Sequence, residues 1–170
     1  MSLFDETIPQ FLRVLDNMDA WLDAGVAYGK TKGFEPAVLL GARLAPDQYP
    51  LIRQISAGCD QAKATAARVT GKEPPKHPDT EQTLEEIRAR IMTVRTYLKT
   101  FTPKDFEGAE TRLVPLAFAP GAFMLAPNFV RELAMPNFYF HTTLTYEILR
   151  HNGVDLGKRH FIGNLTMAKA

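Results

Sequence analysis

Two polar side chains, Asn137 and His141, interrupt the most apolar stretch of the chain, LAMPNFYFHTTLTYEILRHNGVDLG from Leu133 to Gly157. Four residues apart on a helix, they stack on one face, which Thr145 and Ile148 continue. The segment reads as a helix that is apolar on nearly every side, so other helices or a second subunit must cover it. A polar pair placed there has to be met by hydrogen bonds, a ligand or a metal. Neutral imidazole is a good ligand for zinc, nickel or iron. An amide is a poor one, because it offers only its oxygen.

A metal would need partners from other helices. The second helix supplies Gln54 and Asp60, and Asp47 lies just ahead of it. The other three histidines do not complete a centre. His77 sits in the proline-rich loop GKEPPKHPD and reads as solvated. His151 falls in the last turn of the last helix, where the helix dipole favours a cation. His160 follows Lys158 and Arg159 in the tail and reads as exposed. Three uses of the Asn137–His141 face therefore stay open: a buried pair that sets helix register, a small-molecule pocket, or a metal site with a carboxylate from Asp60 or Asp47 and water in the open positions. No nucleophile elbow, phosphate loop, dinucleotide-binding glycine pattern or paired-cysteine motif is present. Cys59, the only cysteine, excludes an internal disulfide and reads as a small core residue.

The chain that must position these residues has 170 of them, which predicts one domain, residues 1–170, with a substantial core and no need of staples. Twenty Lys and Arg against nineteen Asp and Glu leave a formal net charge of +1, so there is no electrostatic case for nucleic acid or an anionic membrane. The N-terminus MSLFDETIPQ carries acidic residues where a signal peptide would be basic. No stretch approaches the roughly 18 apolar residues of a membrane span. A cytoplasmic protein is expected.

Apolar residues at steps of three and four predict a first helix from about residue 3 to Tyr28, in which Pro9 is either in the first turn of a helix starting near Thr7 or inside one starting near Ser2. A connection over 34–48 comes next. Asp47 then reads as the cap of a second helix over 48–70, rich in Ala and Gly so that another helix can approach closely. The third helix is expected over 80–101, with Thr83 and Glu86 at capping-box spacing and Arg88, Arg90, Arg95 and Lys99 on a solvated face. Residues 102–127 break the pattern and read as irregular or as a short hairpin or flap. Asn128 would cap the last helix, which bends at Pro136 and stops at Asn152-Gly153. The tail, 154–170, has little periodicity and reads as partly mobile. Four helices with an insertion before the last make an all-α antiparallel four-helix bundle.

The segments LAPDQYPLIRQISAGCDQAKATAARVTG and PNFYFHTTLTYEILRHNGVDLGKRHFIG resemble a bacterial family of uncharacterised proteins, a domain-of-unknown-function family with the signature PNFYFH…LRHNGV. That family is grouped with the DinB-like superfamily of metalloenzyme-type bundles. The resemblance spans nearly the whole chain and implies a DinB-like four-helix bundle, commonly a homodimer. Metal-bearing members of the superfamily use a histidine of the second helix and an H-x-x-x-H pair on the last. By position His141 matches the second histidine of that pair, Asn137 the first, and Gln54 roughly the second-helix histidine. Two of the three ligands are thus amides. The resulting expectation is a homodimeric bundle that binds a small polar ligand around Asn137, His141, Gln54 and Asp60 without a cofactor, with His141 as a proton carrier at most. The alternatives are a zinc- or nickel-dependent hydrolase or transferase using His141, and a non-catalytic homodimeric interaction protein.

Overall fold

A computed structural model describes residues 2–167. Ser2 and Asp5 form a capping box at the start of helix α1, Leu3–Lys32, and Gly33 ends it in the left-handed region at φ 78°. Pro9 therefore lies inside the helix, the second of the two placements its sequence position permits. A 3-10 segment, Pro36–Gly41, leads to helix α2, Leu51–Val69. This helix starts three residues later than expected. Pro50 is its extended N-terminal flank at ψ 165°, and the ring of a proline disfavours helical backbone in the residue before it. Asp47 is consequently exposed on the connection and caps nothing. Helix α3, Leu84–Leu98, opens on the Thr83–Glu86 capping box that its spacing predicts.

The insertion is a short hairpin. β1, Leu113–Pro115, pairs antiparallel with β2, Phe123–Leu125, in the register Leu113↔Leu125, Val114↔Met124 and Pro115↔Phe123. Asn128 does not cap the last helix. The helical path is already under way in α4, Ala126–Asn128, widens into a π-helical segment over Phe129–Ala134, and continues as α5, Met135–His151. The Met135 N–H reaches back five residues, to the carbonyl of Val130. Pro136 has no N–H to donate and its ring crowds the carbonyl four residues earlier. A wide turn immediately before it is the kind of local rearrangement that absorbs this conflict.

The tail is better ordered than its sequence pattern suggests. Val154 and Leu156 are buried, and helix α6, Lys158–Ile162, folds back onto α1. There Trp21 Nε1 donates to the His160 carbonyl at 3.0 Å, Asn17 Nδ2 donates to that of Phe161 at 2.9 Å, and the Trp21 and Phe161 rings stack. These contacts span about 140 positions of chain, so no local periodicity announces them. Residues 168–170 of the tail lie outside the described residues.

In the bundle α2 packs between α3 and α5, and α1 packs against the same two helices from the other side. One continuous core runs from Leu3 to Leu156. The apolar surface of α5 is covered within the chain: Phe138, Ile148 and Leu149 are buried, whereas Phe140 is exposed. No helix among the described residues is long and apolar enough to cross a membrane.

A close point of the α2–α5 packing is Gly58. A Cβ there would stand 3.3 Å from Thr142 Cγ2 and 3.9 Å from His141 Cβ, so the missing side chain is what lets α2 and α5 approach. Alanine in a helix interior gains roughly 1 kcal/mol over glycine, while overfilling a packed contact costs about 1–3 kcal/mol. Thr142 is buried and β-branched, with little rotamer freedom to yield. Gly58→Ala is expected to destabilise the protein by about 1 kcal/mol net. In a Thr142→Ser background, where Cγ2 is gone, the same change is expected to stabilise. Urea unfolding of the four proteins of this cycle gives the coupling, and a value near zero would mean that the two helices are not in contact there.

Candidate functional site

On α2 the residues Arg53, Ala57, Asp60, Gln61, Ala64 and Arg68 recur at steps of three and four, which sets them on one face. The two alanines leave its centre open. Asn137 and His141 of α5 face this stripe, and Tyr49, Ser56 and Asp79 complete the rim of a cleft of about 340 Å³. That volume falls at the small end of ligand-sized sites, roughly 300–1,000 Å³. Three of the expected site residues, Asn137, His141 and Asp60, line the cleft. Gln54 belongs to the site without lining it: it is buried, and bonds His141 from behind.

The Gln54 amide is oriented at both ends. Its Nε2 donates to the Tyr49 carbonyl at 3.3 Å, so Oε1 is the atom that faces His141 Nδ1, at 2.8 Å. An amide oxygen can only accept. Nδ1 must therefore carry the ring proton, and Nε2 is left with the lone pair. Partial burial with no compensating charge holds the His141 pKa below the ordinary imidazole value, so the ring is neutral at neutral pH. Asn137 makes a parallel bridge: its Nδ2 donates to Gln61 Oε1 at 2.7 Å, and Gln61 Nε2 passes the chain to Thr65 Oγ1 at 3.1 Å.

As a metal shell this set does not fit. Of the three positions that matter, two hold amides, and the oxygen of Gln54 is occupied by an N–H of His141 itself. Asp60 already has one oxygen engaged: its Oδ1 accepts from Lys63 Nζ at 2.6 Å and from an Arg90 nitrogen at 2.7 Å. Asp47 is exposed and does not line the cleft. Among the described residues no three His, Cys, Asp or Glu side chains gather where they could hold a metal ion.

Arg90 corrects a sequence expectation. In place of a solvated position on α3, its side chain is 3% exposed and bonds Glu81 at 2.7 Å, Asp60 at 2.7 Å and the Pro78 carbonyl at 3.3 Å, with Asp79 at 3.5 Å. The signal is in the spacing, since Arg90 lies three after Ile87 and four before Val94, on the apolar stripe itself. His77 is likewise drawn in. Its Nδ1 is 2.9 Å from Lys63 Nζ, which donates to it, and burial together with that cation lowers its pKa. These bonds pin the loop 71–79 over α2 and bring Asp79 to the cleft, where it pairs with Arg53 at 3.0 Å. Tyr49, Arg53, Gln61, Arg68 and Asp79 are site residues that the sequence reading does not single out. Cys59 is fully buried and its thiol is pushed up to about 12, so it takes no part in chemistry here.

With this geometry in place, comparisons identify relatives. A family model described as a domain of unknown function (DUF1993) matches residues 3–162. A crystal structure of a DinB family member protein from Shewanella denitrificans is 42% identical, with a TM-score of 0.95, and the match covers 99% of this chain and 96% of that one. The bundle is thus a DinB-like helical bundle, as the sequence resemblance implies. No curated protein matches the chain.

The site's electrostatics generate two expected outcomes. Arg90→Leu would leave Asp60 and Glu81 facing each other without their shared cation. The loss is expected to be about 3 kcal/mol in urea unfolding, at the low end for a broken buried ion pair because Asp60 stays partly hydrated. The second concerns pH. Because the folded protein holds His141 below its unfolded pKa, the unfolded state binds more protons. Stability is then complete above about pH 6.5, the unfolded value, and declines as the pH falls below it. Unfolding midpoints between pH 7.5 and 5 are expected to slope less in His141→Gln than in the parent, with His77 supplying the remaining slope of the same sign. Identical slopes would mean that His141 is not desolvated by folding.

Proposed function

The chain belongs to the DUF1993 family, and we propose that it binds a small polar molecule in the α2–α5 cleft, with His141 as the central hydrogen-bonding group. The observation that carries this reading is the bond from His141 to Gln54. It fixes the imidazole as a neutral acceptor at Nε2, oriented by a buried amide, on the wall of a cleft that also presents two amides and two arginines. A pair that served only to set helix register would satisfy itself and sit in a closed contact. This pair borders open space large enough for a ligand.

The reading requires no metal. One imidazole with one free lone pair, beside amides already engaged with one another, recognises hydrogen-bond donors far better than it closes a coordination shell. Where the bound molecule presents an acidic proton to Nε2, the imidazole is placed to accept it, and the Gln54 oxygen stabilises the Nδ1–H of the cation that forms. Proton transfer of this kind is the furthest extent of the chemistry the residues support.

A thermal-shift screen of small polar compounds tests the proposal. Compounds that raise the unfolding temperature of the parent are expected to lose at least about tenfold in affinity in His141→Ala, the loss of one hydrogen bond to a group of fixed orientation. Gln54→Leu, which frees the tautomer, is expected to weaken them by less. Should His141→Ala leave both stability and every ligand-induced shift unchanged, the cleft is not the site.

A further inference from the structure

The charges around the cleft do not cancel. Four cations, Arg53, Lys63, Arg68 and Arg90, stand against three carboxylates, Asp60, Asp79 and Glu81. Each carboxylate is held by one or more of Arg53, Lys63 and Arg90. Arg68 is the cation left over. Among the described residues it forms no ion pair and no hydrogen bond, although it lines the cleft in its partly buried position. A guanidinium presents five donors in a planar fork suited to a carboxylate or a phosphate.

Arg68 also borders a second depression. A hollow of about 110 Å³ opens beside the cleft and shares Gln61, Arg68 and Asn137 with it as a common wall. Its remaining lining is apolar: Leu116, Ala117 and Phe118 of the hairpin turn, with Phe129 and Leu133 below. Phe118 is 72% exposed at the tip of that turn, overhanging the hollow with no protein partner of its own to shield it. At about 110 Å³ the hollow has room for a short chain or a small ring.

Resting on the small-ligand reading above, the geometry points to an organic anion with a short apolar tail as the ligand. Its acidic head sits at Arg68 between the Gln61 and Asn137 amides, at the end of the cleft away from the acceptor His141 Nε2. Arg68 lies fourteen residues along α2 from the Gln54 that holds His141. The tail lies under the hairpin turn against Phe118 and Leu133. Carboxylate and phosphate monoester heads share this chemistry. Arg68 also lies in the last turn of α2, where a cation complements the helix dipole, and the test separates that role from ligand binding.

The experiment uses hexanoate, hexyl phosphate, acetate, hexylamine and hexan-1-ol as probes, read by NMR shifts of the His141 ring and the Asn137 and Gln61 side-chain amides. Hexanoate or hexyl phosphate is expected to move all three sets, and whichever binds more tightly identifies the head group. Acetate is expected to bind at least about tenfold more weakly, and hexylamine not at all. Arg68→Gln is expected to weaken the bound anion at least about tenfold, as befits a charge-assisted bond, and Arg68→Lys by less. Phe118→Ala is expected to bring hexanoate toward the affinity of acetate. If hexylamine or hexan-1-ol moves the His141 signals as strongly as the anions do, or Arg68→Gln lowers stability without changing anion affinity, the anion assignment is overturned while the cleft reading stands. If no probe moves the His141, Asn137 or Gln61 signals, the anion inference is overturned, and the cleft reading is decided separately by the compound screen against His141→Ala.

Discussion

The close approach of α2 and α5 at Gly58 and Thr142 is the constraint on which the rest of the site depends. A Cβ at Gly58 would already stand 3.3 Å from the threonine methyl, so little room is left on α2 for a side chain facing Thr142. The two polar bridges lie on either side of Gly58 along α2. Gln54 is four residues before Gly58 and Gln61 three after it, while His141 directly precedes Thr142 and Asn137 lies five before it. About one turn along α2 from Gly58 in each direction, an amide reaches its partner on α5 at 2.7 or 2.8 Å. A wider spacing would replace both bonds by water, and the imidazole would lose its fixed tautomer. A contact with an apolar methyl thus sets the spacing that its polar neighbours use.

The opposite wall of the cleft depends on charge in place of contact. Burying Arg90 would be prohibitive alone, and the structure surrounds it with Asp60, Asp79 and Glu81 and with the Pro78 carbonyl. Such a cluster adds little net stability over apolar residues of the same shape. What it does supply is position. The loop from Gly71 to Asp79 contains three prolines and has no secondary structure to hold it, yet the Arg90 bonds, with Lys63 on His77, fix it over α2. Through that loop Asp79 reaches the cleft and neutralises Arg53. The ion network therefore sets which cation of the cleft remains free.

Periodicity and caps make most of the fold legible. The four helices, the Thr83–Glu86 box, the hairpin and the shared face of Asn137 and His141 are all local regularities, and each is present. The departures among Arg90, His77 and the tail have a common cause: these residues take their positions from partners far along the chain, such as Asp60 for Arg90 and Trp21 for the α6 backbone. Arg90 shows how residue type can mislead, because a charge suggests solvent where its spacing on an apolar stripe indicates burial. The later start of α2 and the π-helical turn are different in kind. Both are local effects of a proline, at 50 and at 136, whose steric reach extends to residues before it. Asp47 resembles a cap by residue type alone, and that reach is what removes it from the helix.

The relation between this cleft and a three-histidine centre turns on counting lone pairs. A histidine on the second helix, in the position of Gln54, would bring an acceptor nitrogen toward the space where His141 brings another, and two such groups repel unless a cation or a proton lies between them. Gln54 resolves the conflict differently. Its amide oxygen accepts, so the proton that joins the two side chains belongs to His141 Nδ1 and stays there. Asn137 and Gln61 repeat the arrangement one turn away, with the donor and acceptor supplied by amides alone. Each bridge joins α2 to α5 with bonds that need no ion to form. The side chains at these positions therefore set the chemistry of the cleft. In this chain they leave His141 Nε2 as a neutral acceptor on the cleft wall, with the Asn137 carbonyl oxygen as a second acceptor that receives no hydrogen bond among the described residues.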